Sequence, residues 1–170
     1  LRLNFDIYSI NRHNMKQTIH LDPVDTKILA ALQQDATLSN AALAEQVGAS
    51  PASCWRRIKA LEEAGVLKAS VRLVDAQRIG RANNVICQIR LKNHLPDTVS
   101  DFEAFIRSQP EIMDCYSMSG DWDYLLRIAV GDVADYEHFL MRKLLRHAGV
   151  ATASSHFALS QVKYTTALAL

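Results

Sequence analysis

Apolar residues recur at helical spacing through the first part of the chain and alternate through much of the rest. From Leu21 to Gln34, Val24, Ile28, Ala31 and Leu32 form one stripe, which predicts a helix. Asp22 suits its N-cap, Pro23 its first turn, and Asp25 complements the positive end of its dipole. Asp35 to Leu38 breaks the pattern. Leu43, Ala44 and Val47 then supply a second apolar face, and Gly48 stands where a turn needs positive φ. Ser50 and Pro51 are a cap and a first helical residue, and Gly65 is a stop. Ser39 to Gly65 therefore reads as two short helices joined by a tight turn.

The second of these helices has two faces. Cys54, Ile58 and Leu61 fall on one side, at i, i+4 and i+7. Ala52, Ser53, Arg56 and Lys59 fall on the other, with Arg57 on the flank. Small residues permit close approach, and arginine offers forked donors to phosphate or guanine, which is what a helix lying in the DNA major groove needs. A solvated basic face has the same composition. Val66 to Asp75 alternates and is rich in valine and leucine, so a strand or hairpin arm is expected, making the arrangement winged. Lys68 and Arg72 on that arm are placed to touch phosphate.

Ala76 to Asn83 is polar, contains Gly80 and reads as a linker. Beyond it the pattern predicts a strand at 84–92 with Val85, Cys87, Ile89 and Leu91 on one face. A helix over 97–108 carries Val99, Phe102, Phe105 and Ile106. Strands at 112–119 and 122–130 flank a turn at Gly120-Asp121. A helix from Asp132 to about His147 places Val133, Tyr136, Leu140 and Leu144 on its core stripe, and a last strand spans 150–159. The order β-α-β-β-α-β is the ferredoxin-like split unit. In the third strand Trp122, Tyr124, Leu126 and Ile128 face one way; Leu125 and Ala129 face the other, with Asp123 and Arg127. With Ile86, they make the outer sheet face less polar than solvent exposure requires, and a second copy of the domain is the simplest cover. The expected class is α+β: an N-terminal extension (1–20), a winged helix-turn-helix domain (21–75), a linker (76–83) and a βαββαβ domain (84–170).

Composition narrows the chemistry. The chain has 170 residues and is 49% hydrophobic, enough for a packed core in one domain or two small ones. No apolar run approaches a membrane span. The N-terminal stretch makes a poor signal peptide, and Met15 reads as the natural start. Cys54, Cys87 and Cys115 form no CxxC pair, so neither a disulfide framework nor a zinc finger is indicated, and a reducing cytoplasm suits them. The net charge is +1, and acids balance bases between residues 16 and 75. The basic signal is thus local, confined to Arg56, Arg57 and Lys59 between Ser50 and Lys59. His20, His94, His138, His147 and His156 show no metal-ligand spacing, and no phosphate loop or activated nucleophile appears. No catalytic residue, metal or cofactor is expected.

Three stretches together resemble the Lrp/AsnC (leucine-responsive regulator/asparagine regulator) family of prokaryotic transcription factors. They are LDPVDTKILAALQQDATLSNAALAEQVGASPASCWRRIKALEEAGVLK, SGDWDYLLRIAVGDVADYEHFL and GVATASSHFALSQVKYTTALAL, spread in one register from Leu21 to Leu170. The resemblance implies a sequence-specific regulator of double-stranded DNA, built as dimers that assemble to tetramers or octamers and tuned by an amino acid or similar effector. Ser50, Pro51, Cys54, Arg56 and Arg57 match the family's recognition-helix motif, and Ser53 and Trp55 stand where proline and leucine are common. Trp55 is expected to pack against the first helix or the wing. Gly120, Asp121, Asp123 and Tyr124 match a G-D-x-D-Y motif; with Met118 and Ser154 they are the implied effector site. Asp121 or Asp123 suits an ammonium group, and N–H groups around Gly120 suit a carboxylate. The same aspartates equally suit a tight hairpin. The chain departs from the family at Ala153-Ser154-Ser155, where threonine-arginine-threonine is frequent, at Ala69-Ser70-Val71 in the wing, where glycine-tyrosine-threonine is common, and at Thr37, where arginine is. An architectural, DNA-wrapping protein with little effector response is the alternative.

Overall fold

The computed structural model describes residues 20–170. The expected N-terminal extension (but for its last residue) and the proposed start at Met15 lie outside the described residues. The chain forms two compact units, divided at Val71/Arg72, and Thr165–Leu170 joins the first of them rather than continuing the second.

The first unit holds α1 (Pro23–Gln34), α2 (Asn40–Val47) and α3 (Pro51–Glu63). Each begins as its sequence dictates. The Asp22 carboxylate accepts from the backbone N–H of Val24 and Asp25, and the Asp25 side chain reaches back to the Asp22 N–H, closing a capping box. Ser39 caps α2, and Ser50 caps α3 by accepting from the Ser53 N–H at 3.2 Å. Gly48 ends α2 at φ 73°, so the sharp reversal into α3 needs a residue without a Cβ. Ile28, Leu29, Leu43, Ala44, Val47, Cys54 and Leu61 are buried together, with Val24, Leu32 and Ile58 packed around them. The Gln33 amide clamps the backbone of Leu168, donating to its carbonyl at 3.1 Å and accepting from its N–H at 2.6 Å.

The second unit is a four-stranded antiparallel sheet of β1 (Asn83–Leu91), β2 (Ile112–Ser117), β3 (Tyr124–Val130) and β4 (Val150–Phe157), in the order β2-β3-β1-β4. Between the strands lie α4 (Pro96–Ser108) and α5 (Val133–Arg142), and a 3₁₀ turn at Leu144–Arg146 follows α5. Alternation aims Val85, Cys87, Ile89, Leu126 and Ile128 at Phe102, Phe139 and Leu144, and all eight are fully buried. Asn84, Ile86, Gln88, Leu125, Arg127 and Ala129 fall on the opposite face, each partly exposed. There the Arg127 guanidinium is paired with Asp114 of β2 and reaches Asn84 at 3.2 Å.

Three sequence expectations are corrected. The 66–75 segment contains no strand: Val71, Leu73 and Val74 are exposed, the Val66 and Leu67 N–H groups donate to the Leu61 carbonyl at the end of α3, and no strand among the described residues pairs with the segment. Alternation marks a face that can be buried, but a strand exists only where another supplies its ladder. Val133 lies outside the core, 64% exposed, whereas Phe139 is 1% exposed. The α5 stripe runs through Tyr136, Phe139 and Leu140, and the 3₁₀ turn carries Leu144 back onto the sheet. Trp122 precedes β3 rather than lying within it, and its ring sits under the Arg90 guanidinium at 5.1 Å.

Candidate DNA-binding and effector sites

α3 presents a sharply divided surface. Cys54 and Leu61 are buried, while Ala52, Arg56 and Lys59 are exposed at i, i+4 and i+7. Ser50 is exposed at the helix start, where its hydroxyl is engaged in the cap, and Ser53 is half-buried on the flank. Lys59 is paired with Glu62 at 2.9 Å, which also raises its pKa. Arg57 points elsewhere. Its Nη1 donates to Asp22 at 2.6 Å and Asp25 at 2.7 Å, tying α3 to the N-terminus of α1. The geometry therefore takes Arg57 out of the outward set and makes it a strut between helices. Trp55, expected to pack on the first helix or the wing, is 55% exposed.

The candidate effector residues do not all converge. Gly120 adopts φ 124° at the tip of the β2–β3 connection, a conformation open to glycine. The connection closes with the Met118 N–H donating to the Asp123 carbonyl at 2.8 Å, and Met118 itself is exposed. The Asp121 carbonyl accepts from Arg90 Nε and Nη2 at 3.0 and 2.7 Å, leaving its carboxylate exposed without a hydrogen bond among the described residues. Asp123 is fully engaged: Oδ2 accepts from the Leu91 N–H at 2.7 Å, and Oδ1 lies 2.7 Å from His94 Nε2. Tyr124 points into the core, 4.9 Å from the Phe102 ring, with its hydroxyl donating to Glu103 at 3.2 Å. Burial, then the Glu103 charge, pushes its pKa up to about 12. Ser154 pairs with Gln88 on the outer sheet face, opposite to Tyr124. Gly120, Asp121 and Asp123 thus meet at one turn, while Tyr124 and Ser154 lie on opposite sides of the sheet.

Comparison with known proteins places this geometry. Residues 21–68 match the profile of a winged helix-turn-helix DNA-binding domain, and residues 84–168 that of the Lrp/AsnC ligand binding domain. The chain belongs to the Lrp/AsnC family. It is 38% identical to the DNA-binding transcriptional activator DecR of Escherichia coli over 87% of this chain and 97% of that protein. It is 37% identical to the leucine-responsive regulatory protein of Haemophilus influenzae over 95% of this chain and 97% of that one. A transcriptional regulator of Neisseria meningitidis solved with L-Met superimposes with a TM-score of 0.85 at 35% identity, covering 88% of this chain and 97% of that one. This Lrp/AsnC chain is accordingly a DNA-binding transcriptional regulator with a ligand-binding domain, not an enzyme.

Two residues of this Lrp/AsnC protein's candidate effector turn escaped sequence reasoning, Arg90 and His94. Arg90 had a signal: alternation sets it on the same outer face as Gln88, near the end of β1. His94 had none, because its contact with Asp123 spans 29 residues.

The Arg57 strut carries its own prediction. The Asp25 N–H foremost, and the Arg57 guanidinium next, hold the Asp22 carboxyl below its ordinary value of 3.8. A carboxylate depressed in the folded state stabilises above its unfolded pKa, and that contribution is lost as pH falls through the folded value. Arg57→Ala is expected to lower the melting temperature at pH 7 and to differ less from wild type once Asp22 is protonated. Melting curves from pH 7 down through the range below 3.8 check this; a difference that stays constant with pH would assign the effect to lost packing.

Proposed function

We propose that this regulator reads paired half-sites in double-stranded DNA as a dimer that assembles further to a tetramer or octamer, and that an amino acid bound near the Met118–Asp123 turn tunes this in the cytoplasm. The observation that carries the reading is α3. It follows a glycine turn, is fixed on its inner side by Cys54, Leu61 and the Arg57 strut, and presents Ala52, Arg56 and Lys59 outward, with Ser50 and Ser53 at its start. Phosphate contacts would set its position on the duplex and Ser53 and Arg56 would face base edges. In the ligand-binding domain, the exposed Asp121 carboxylate is an acceptor for an ammonium group, and the main chain around Gly120 offers donors to a carboxylate. The neisserial relative solved with L-Met supports an amino acid as the ligand class.

A second reading has support in Asp123. Both its oxygens are already engaged, and β4 carries the small residues Ala153, Ser154 and Ser155. Such a chain would be an architectural DNA wrapper with little effector response. A panel of amino acids separates the two. A ligand at a hundred times its Kd stabilises by about 2.7 kcal/mol, and for a chain of this size that is roughly 5–10 °C in melting temperature. At least one amino acid is expected to produce such a shift in the full chain. A flat panel at millimolar concentrations would favour the architectural reading.

A further inference from the structure

Trp55 is the largest side chain on α3, and the fold gives it no place inside the protein. It is 55% exposed, although tryptophan is usually well covered. Neither an aromatic nor a cationic partner lies against its ring among the described residues. At 100° per residue it borders the outward stripe: Ala52 and Lys59 run along the middle, Arg56 along one edge and Trp55 along the other, within an arc of about 100°. The inner side of the helix is independently occupied by Cys54, Leu61 and the Arg57 strut, so α3 cannot roll to bury the indole without breaking those contacts.

We propose that Trp55 is a specificity-determining residue, packing its indole against a thymine C5-methyl group in the major groove and so selecting a T·A pair in each half-site. The inference rests on α3 as the DNA-reading helix. Thymine carries the one methyl group on the major-groove edges of the bases, and apolar side chains read it by contact. An indole offers a broad apolar face and one N–H donor, with no acceptor. Arg56, on the other edge of the stripe, has the opposite chemistry: five donors suited to guanine or phosphate. A helix with these two edges distinguishes a methyl-bearing position from an acceptor-rich one. Between them, the Ala52 methyl leaves the backbone free to approach the groove.

The test uses the full chain. A duplex is selected from a random-sequence pool by the wild type, and each thymine of the selected site is replaced by uracil, which removes only the methyl group. A buried methyl contact is worth about fourfold in affinity, so substitution in both half-sites is expected to cost about fifteenfold at one symmetric position. Trp55→Ala, whose side chain is too short to reach from the edge of the stripe, should bind thymine and uracil sites equally at that position, and Trp55→Leu should keep at most part of the preference. Trp55→Phe, which keeps an apolar ring, should retain part of the discrimination. Melting temperatures of all three should stay near wild type, because the side chain is exposed. A wild type indifferent to uracil at every position overturns the Trp55 proposal while leaving α3 as the reading helix. Undiminished discrimination by Trp55→Ala does the same. A wild type that selects no sequence overturns the reading of α3 and this proposal together.

Discussion

Arg56→Ala is expected to weaken binding to the selected DNA site by a factor between about thirty and twenty thousand. Arg56 is exposed on the outer stripe of α3, and no protein carboxylate pairs with it among the described residues. Its guanidinium is therefore free for a bidentate contact, worth about 1–3 kcal/mol against a base. The proposed dimer would make the contact twice, so the loss would be about 2–6 kcal/mol. If the contact is to guanine, discrimination at that base pair should collapse while the salt dependence changes little; if it is to phosphate, binding should weaken evenly across sequences and the salt slope should flatten. Lys59→Ala should cost less, since Glu62 already holds that ammonium. Anisotropy titrations at two salt concentrations separate these outcomes, and gel filtration should show the assembly unchanged. Unaltered affinity for Arg56→Ala would remove it from the interface.

Arg56 and Arg57 show where the sequence was legible and where it stopped. Local signals sufficed for the frame of the first unit: Asp22, Ser39 and Ser50 cap their helices, and Gly48 makes the turn. Alternation sufficed for the sheet, because Val85, Cys87 and Ile89 must all turn to one side of β1. Adjacent arginines on one helix, however, differ by only 100°. What separates them is the position of α1, whose two acids lie 35 and 32 residues away in the chain. The same limit explains Trp55, which a local pattern allows to be core or surface. It also explains Tyr124 and Ser154. The motif makes Tyr124 part of an effector site, but strand register puts its ring in the core and the Ser154 hydroxyl on the far face. The 66–75 segment failed differently: its alternation is real, but a strand needs a partner that the described residues do not supply.

Leu125→Glu is expected to turn the proposed assembly into monomers. Leu125 sits mid-sheet on the outer face, between Gln88 of β1 and Tyr116 of β2, with Ile86 and Ala129 on the same face. Tyr116 is exposed, and the ion pair on this face, Arg127 with Asp114, is internally neutralised. If a second copy covers the face, a two-fold axis brings each Leu125 close to the equivalent surface of the partner. Glutamate there would put two like charges into a desolvated interface at a cost of several kcal/mol per ion, enough to shift dissociation by a thousandfold or more. The isolated fold should survive, since Leu125 lies outside the cluster around Phe102. Sedimentation would then show monomers with a native circular dichroism spectrum. DNA affinity should fall with the assembly, because two half-sites joined in one dimer bind at high effective concentration and separate monomers do not. Val133→Glu, on the exposed flank of α5, is the control and should leave both assembly and affinity unchanged. A Leu125→Glu protein that still sediments as wild type would mean that the copies meet through another surface.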